Sequence, residues 1–167
     1  AIESYKNSLA LKPDYAEAYN NMGITLQEQG KLAEAIEAYN KALSIKPDYA
    51  EAYNNMGNVL KDQGKFDEAM EAHKKSIKIM PNYAKAYLNI GNVMSDQGIL
   101  DQAIIFYNRA LSIRPDYAEA CNNIGLALRD LGKLEEAINT LNKALSLKPD
   151  YAEAYNNLGN AFKDLGQ

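Results

Sequence analysis

The five prolines of this 167-residue chain stand at 13, 47, 81, 115 and 149, a constant interval of 34 residues. Self-similarity at a period of 20–50 residues marks a repeat architecture, in which one supersecondary unit is stacked on copies of itself. A stack of this kind has no single central core. Chemistry must be sought in columns, positions that recur one period apart.

Cutting after each Pro-Asp-Tyr, or Pro-Asn-Tyr at 81–83, aligns four full units without a gap. They cover 16–49, 50–83, 84–117 and 118–151. Residues 1–15 read as the tail of a preceding unit and 152–167 as the head of a following one. Within a unit, Tyr19, Met22, Gly23 and Leu26 keep i, i+3, i+4, i+7 spacing, as do Leu32, Ala35, Ile36, Tyr39, Ala42 and Leu43. Each set is one apolar helical stripe. Gly30, Gly64, Gly98, Gly132 and Gly166 fall where the first helix ends, and glycine there suits the left-handed residue past a helix terminus. Asp14, Asp48, Asn82, Asp116 and Asp150 follow the prolines, with Glu17, Glu51, Glu119 and Glu153 three residues on, the spacing of an N-terminal capping box; Lys85 breaks it. Each unit therefore reads helix, glycine turn, helix, proline break, about ten helices in all. Gly23, Gly57, Gly91, Gly125 and Gly159 lie inside the first helices, where glycine costs about 1 kcal/mol against alanine. Their recurrence predicts close helix–helix approach, shared with Ala35, Ala69, Ala103 and Ala137.

The period, the glycine column, the Ala35 and Ala42 columns, the aromatic at Tyr39 and the terminal proline resemble the tetratricopeptide repeat family along the whole chain. Tyr19, Tyr53, Tyr87 and Tyr155 stand where that family often has tryptophan, and Cys121 departs from this. The resemblance implies an all-α, right-handed solenoid of helix pairs. First helices would line a concave groove and second helices would face outward. It also implies a protein or peptide partner.

One column of the first helix is constant: Asn21, Asn55, Asn89, Asn123 and Asn157. Beside it run Asn20, Asn54, Leu88, Asn122 and Asn156, and a turn later Ile24, Asn58, Asn92, Leu126 and Asn160. A carboxamide both donates and accepts, so it can pair with a peptide backbone whatever the ligand's side chains. The column is similar to the asparagine ladder in the repeat superhelix of O-linked N-acetylglucosamine transferases and their bacterial relatives, which implies backbone recognition of an extended polypeptide. The alternative is that these asparagines bridge adjacent repeats; the two are compatible. The family's other mode, a carboxylate clamp for acidic C-terminal tails, needs cations in these columns. With Lys85 the lone cation among Glu17, Glu51, Glu119 and Glu153, a clamp is not expected. Two charge columns close the first helix, Gln27/Lys61/Ser95/Arg129/Lys163 and Glu28/Asp62/Asp96/Asp130/Asp164. They read as a polar rim to the groove or as ion pairing between repeats.

The third unit differs. Lys85 and Leu88 enter the groove columns, and Ile99, Ile105 and Phe106 put apolar residues on an otherwise polar outer face, where they form a candidate contact patch. His73 takes the column of Tyr39 and Tyr107, and Cys121 that of Tyr19; both read as packing residues. No second His or Cys completes a metal or catalytic site, and there is no phosphate loop, HExxH or Ser-His-Asp set. Catalytic residues, metal and cofactor are all expected to be none, and the chain is not expected to be an enzyme.

The net charge of −4 argues against a nucleic-acid footprint. No apolar run approaches the ~20 residues of a membrane span. A single cysteine suits a reducing compartment, and a cytoplasmic location is expected. The array begins in a second helix (Ile2, Tyr5, Leu9) and ends after a first helix (Tyr155, Leu158, Phe162). That phase predicts a piece of a longer array with apolar end faces and a head-to-tail, non-closing contact between copies. The leading expectation is a non-catalytic scaffold binding extended polypeptide. The alternatives are the substrate-recruiting region of a larger glycosyl- or sulfo-transferase and an assembly element.

Overall fold

A computed structural model describes residues 2–166, all of whose regular structure is helical. The helices fall into two compact units, divided between Pro81 and Asn82. The first unit holds α1 (Ile2–Leu11), α2 (Ala16–Glu28), α3 (Leu32–Ile45), α4 (Ala50–Asp62) and α5 (Phe66–Ile79). The second holds α6 (Ala84–Asp96), α7 (Leu100–Ile113), α8 (Ala118–Asp130), α9 (Leu134–Leu147) and α10 (Ala152–Leu165). In each unit a first helix packs on the second helix of its own repeat, and that second helix packs on the first helix of the next.

The glycine turns are as the sequence predicts. Gly30, Gly64, Gly98, Gly132 and Gly166 have φ of 72–83°. At Gly30 the Lys31 N–H donates to the Leu26 carbonyl (2.9 Å) and the Gly30 N–H to Gln27 (2.9 Å). This is a Schellman closure, which satisfies the helix's last carbonyls. Gly64, Gly98 and Gly132 repeat it.

The helix starts differ from the capping-box expectation. The N-cap residues are Tyr15, Tyr49, Tyr83, Tyr117 and Tyr151, one position beyond the Asp/Asn column, and none makes a side-chain cap bond. Before Tyr15, Tyr49, Tyr117 and Tyr151 the turn carries a cation over the tyrosine ring instead. The Tyr49 N–H donates to the Lys46 carbonyl (3.2 Å), and Lys46 Nζ sits 4.5 Å from the Tyr49 ring centroid. Lys12/Tyr15, Arg114/Tyr117 and Lys148/Tyr151 pair in the same way. A cation over an aromatic face contributes about 0.5–1 kcal/mol at an exposed site. Glu17 thus falls at N2, where its charge meets the helix dipole favourably.

The interior glycines are notches. A Cβ on Gly23 would lie 2.6 Å from the Tyr39 ring, on Gly57 2.6 Å from the His73 ring, and on Gly125 2.6 Å from Leu141. Gly91 meets Tyr107 closer still. Ala35, Ala69, Ala103 and Ala137, all fully buried, bring the helices to that distance. Ser76 stands in the small column of Ala42 and satisfies its buried hydroxyl by donating to the Ala50 carbonyl (2.8 Å). Of the five glycines inside the first helices, only Gly159 would place a Cβ with nothing within 4 Å among the described residues.

Two outcomes follow. Gly91→Ala overpacks the Tyr107 notch and lowers stability by about 1–3 kcal/mol, whereas Gly159→Ala is neutral or stabilises by up to about 1 kcal/mol through helix propensity; thermal melts of the two variants check this pair. The second concerns His73, which is buried with both ring nitrogens unpartnered among the described residues. Desolvation, with the Lys61 charge adding to it, lowers its pKa to about 4. The folded state therefore keeps the ring neutral while the unfolded chain protonates near pH 6.5. The stability held above that pH is lost as pH falls toward 4, by about 3 kcal/mol. His73→Leu, which adopts the residue of the Leu141 position, removes this part of the pH dependence in denaturant titrations at pH 7 and pH 4.

Candidate functional site

The asparagine columns occupy the first helices, and the structure separates their roles. Asn20, Asn54 and Asn122 are buried, as is Leu88; Asn156 is exposed. Of the ladder itself, Asn21 is exposed, Asn55, Asn123 and Asn157 are half-buried, and Asn89 is buried. One turn on, Asn58 and Asn92 are half-buried and Asn160 exposed; Lys85 is exposed.

The buried column holds the ladder in place. In the first unit Asn55 Nδ2–H donates to Asn20 Oδ1 (3.1 Å). In the second, Asn157 Nδ2–H donates to Asn122 Oδ1 (2.9 Å), and Asn122 Nδ2–H donates in turn to Glu153 (3.2 Å). Buried carboxamides need such partners, because an unmade bond costs about 1–3 kcal/mol.

Leu88 offers no carbonyl to the repeat that follows it. There Asn123 Nδ2–H turns to Asn92 Oδ1 (2.9 Å), which also accepts from the Tyr107 hydroxyl (3.0 Å). Burial pushes the Tyr107 phenol up to about 12, so it remains a donor at ordinary pH. Neither the buried position of the Asn20 column nor this rerouting is visible in a column of letters. The cue present in the sequence is the pairing of Leu88 with Asn92 in one helix.

The position of Asn92 also decides the fate of the ring fifteen residues on. Ile24 occupies it before Tyr39, whose buried hydroxyl has no partner among the described residues. Asn58 occupies it before His73, whose shorter ring makes no bond to it. Leu126 occupies it before Leu141, which needs no acceptor.

The closing charge columns bridge repeats within each unit. Gln27 Nε2–H donates to Asp62 (3.2 Å), and Arg129 reaches Asp164 (3.7 Å) as well as its neighbour Asp130 (3.0 Å). Clefts lie elsewhere. One of about 390 Å³ opens between α3 and α5 over Met56 and Leu60, and one of about 260 Å³ opens beside α1 over Met22 and Leu26. No ladder asparagine lines either cleft. In the outer patch, Ile105 is 65% exposed, Ile99 is exposed and Phe106 half-buried. Cys121 is fully buried against Ala144 and Ala154, and burial raises its thiol pKa. Among the described residues no group of three or more His, Cys, Asp or Glu could hold a metal, and no helix is long and apolar enough to cross a membrane.

Paired helices closed by left-handed glycines and locked by ring-on-glycine notches define a helical repeat protein. The chain belongs to the tetratricopeptide repeat family: matches to the tetratricopeptide repeat cover residues 1–48, 14–82 and 48–116, and a further TPR repeat match covers 125–166. Among solved structures it is similar to MamA, at 31% identity over 91% of this chain and 89% of that one, with a TM-score of 0.77. A second MamA structure is 28% identical over 90% of this chain and 82% of that one, with a TM-score of 0.75. YrrB, described as a TPR protein with an unusual peptide-binding site, is 24% identical over 98% and 84%, with a TM-score of 0.74. No curated protein matches the sequence.

Exchanging the residues at the Asn92 position tests the network. Asn92→Ile strips an acceptor from Asn123 and Tyr107 and destabilises by about 1–3 kcal/mol, whereas Ile24→Asn supplies one to Tyr39 and stabilises by about 1 kcal/mol. Urea midpoints of the two variants move in opposite directions.

Proposed function

We propose that the chain is a non-catalytic scaffold that takes an extended polypeptide along the asparagine face of its first helices. Proteins of this family typically bind proteins or peptides, and YrrB is described as carrying a peptide-binding site on the same fold. The observation that carries the reading is the unspent capacity of the ladder. Asn55, Asn123 and Asn157 each commit one N–H to a neighbouring helix. A carboxamide has two N–H donors, so among the described residues Asn55 and Asn157 each keep one N–H and an open carbonyl, while Asn123 also bonds the Tyr107 hydroxyl. Asn21 is exposed and takes only a long contact from Asn20 (3.5 Å).

The spacing suits a backbone. Packed helices lie about 8–10 Å apart and an extended strand rises about 3.3 Å per residue. Within a unit, successive ladder residues then meet about every third ligand residue. Recognition of this kind reads main chain and tolerates varied side chains.

The triple replacement Asn55→Ala, Asn89→Ala, Asn123→Ala weakens peptide capture at least about tenfold, the equivalent of 1.4 kcal/mol, with helicity retained by circular dichroism. N-methylation of the bound peptide at every third residue does the same. Binding that survives both changes overturns the reading.

A further inference from the structure

The charge of this protein is unevenly placed. The first helices α2, α4, α6, α8 and α10 carry nine carboxylates and four cations; the rest of the chain carries thirteen and fourteen. The whole negative excess therefore sits on the helices that bear the asparagines.

Its placement on those helices is regular. Glu17, Asn21 and Glu28 are spaced i, i+4 and i+11, which on a helix of 3.6 residues per turn is one face. On α4 the same face is Glu51, Asn55 and Asp62. In the first unit the ladder is thus flanked by a carboxylate row toward the helix N-termini and another toward the C-termini, whereas on α6 Lys85 stands in the N-terminal row. Glu17, Glu28 and Asp62 are exposed and Glu51 half-buried.

The cations within reach do not cancel this field. Lys46 lies 3.8 Å from Glu17, both exposed, and the half-buried Lys61 lies 3.7 Å from the exposed Asp62. Such pairs bind weakly. Against the four carboxylates of α2 and α4, those two helices carry one cation, Lys61. Helix dipoles favour the N-terminal row but oppose the C-terminal row of Glu28 and Asp62. A row of carboxylates held against its own dipole is a standing demand for positive charge.

Resting on the groove reading above, we infer that the polypeptide this face selects is basic, an extended Lys/Arg-rich segment whose backbone follows the asparagines. Successive side chains of an extended strand point to opposite sides. Laid along the ladder, alternate side chains reach the Glu17/Glu51 row and the Glu28/Asp62 row. The carboxamides supply sequence-blind affinity, and the two rims discriminate by charge. An acidic tail is rejected by both rims.

The test uses the full chain and three fluorescent peptides of about twelve residues, built from Ser-Lys-Lys, Ser-Asn-Asn or Ser-Glu-Glu triplets, with affinity read by anisotropy. The lysine peptide binds tightest and the glutamate peptide weakest, and the lysine peptide's advantage shrinks as salt rises from about 50 to about 300 mM. Glu51→Gln with Asp62→Asn weakens the lysine peptide by about 3- to 10-fold, as expected for two exposed pairs, and leaves the asparagine peptide unchanged. Glu34→Gln with Glu71→Gln, the same charge change on second helices, has no such effect. Equal binding of the lysine and asparagine peptides, or equal losses in the two double variants, overturns the charge selection. If binding still falls on Asn55→Ala in that case, the groove reading stands; if binding is indifferent to Asn55→Ala, the groove reading fails with it.

Discussion

The contact on which the rest of the structure depends is a ring seated on a glycine. At Gly23, Gly57 and Gly91 the missing side chain leaves a notch that Tyr39, His73 or Tyr107 fills. The notch sets both the distance and the register of the two helices in a repeat. A helix that slid by one residue would drive a Cβ into the ring. Glycine in a helix interior costs about 1 kcal/mol, and burying a large side chain against it returns about 1.5–3 kcal/mol. The balance explains why the column tolerates tyrosine, histidine and leucine on one side but only glycine on the other. Shape is kept there at the expense of polarity, and the Tyr39 hydroxyl and His73 nitrogens, unpartnered among the described residues, are the polar cost of that choice.

Much of this is legible in the sequence because it is local. The left-handed glycines, the helix lengths and the small-residue columns each follow from backbone geometry within a few residues, and the 34-residue period repeats them often enough to remove ambiguity. The capping box misleads for an equally physical reason. Asp48 and Glu51 have the right spacing, but the chain between helices is held by Pro47, by the Tyr49 amide on Lys46 and by the Lys46 charge over the Tyr49 ring. With the turn closed that way, the tyrosine carbonyl begins the helix and the aspartate is left outside it. A cation over a ring is a contact between side chains whose directions depend on the turn itself, so spacing alone does not reveal it.

The site is half legible. Five asparagines one period apart are plain in the letters, but adjacent positions on a helix differ by about 100°, enough to bury Asn20 while Asn21 stays exposed. Which carboxamide serves and which is served is settled by the neighbouring helix. The third repeat shows how far tertiary context reaches. Leu88 removes one acceptor, and Asn92, a turn away, provides another for the same Asn123 amide. Two departures from the column pattern, read separately, look like drift. Together they preserve one hydrogen bond.

That bond, and its equivalents at Asn55 and Asn157, link stability to the proposed recognition. A free surface asparagine loses rotamer freedom when it binds a ligand, a cost of about 0.5–1.5 kcal/mol for each side chain immobilised. Here the cost falls on folding, because each ladder amide is already anchored to the helix before it in its own unit. The anchored amide presents its second N–H in a fixed direction. Structural bridging and ligand binding are therefore not rival explanations of the ladder. Under the proposed function the bridge makes the binder rigid, and a loss of bridging at Asn20 or Asn122 weakens the proposed recognition at Asn55 or Asn157.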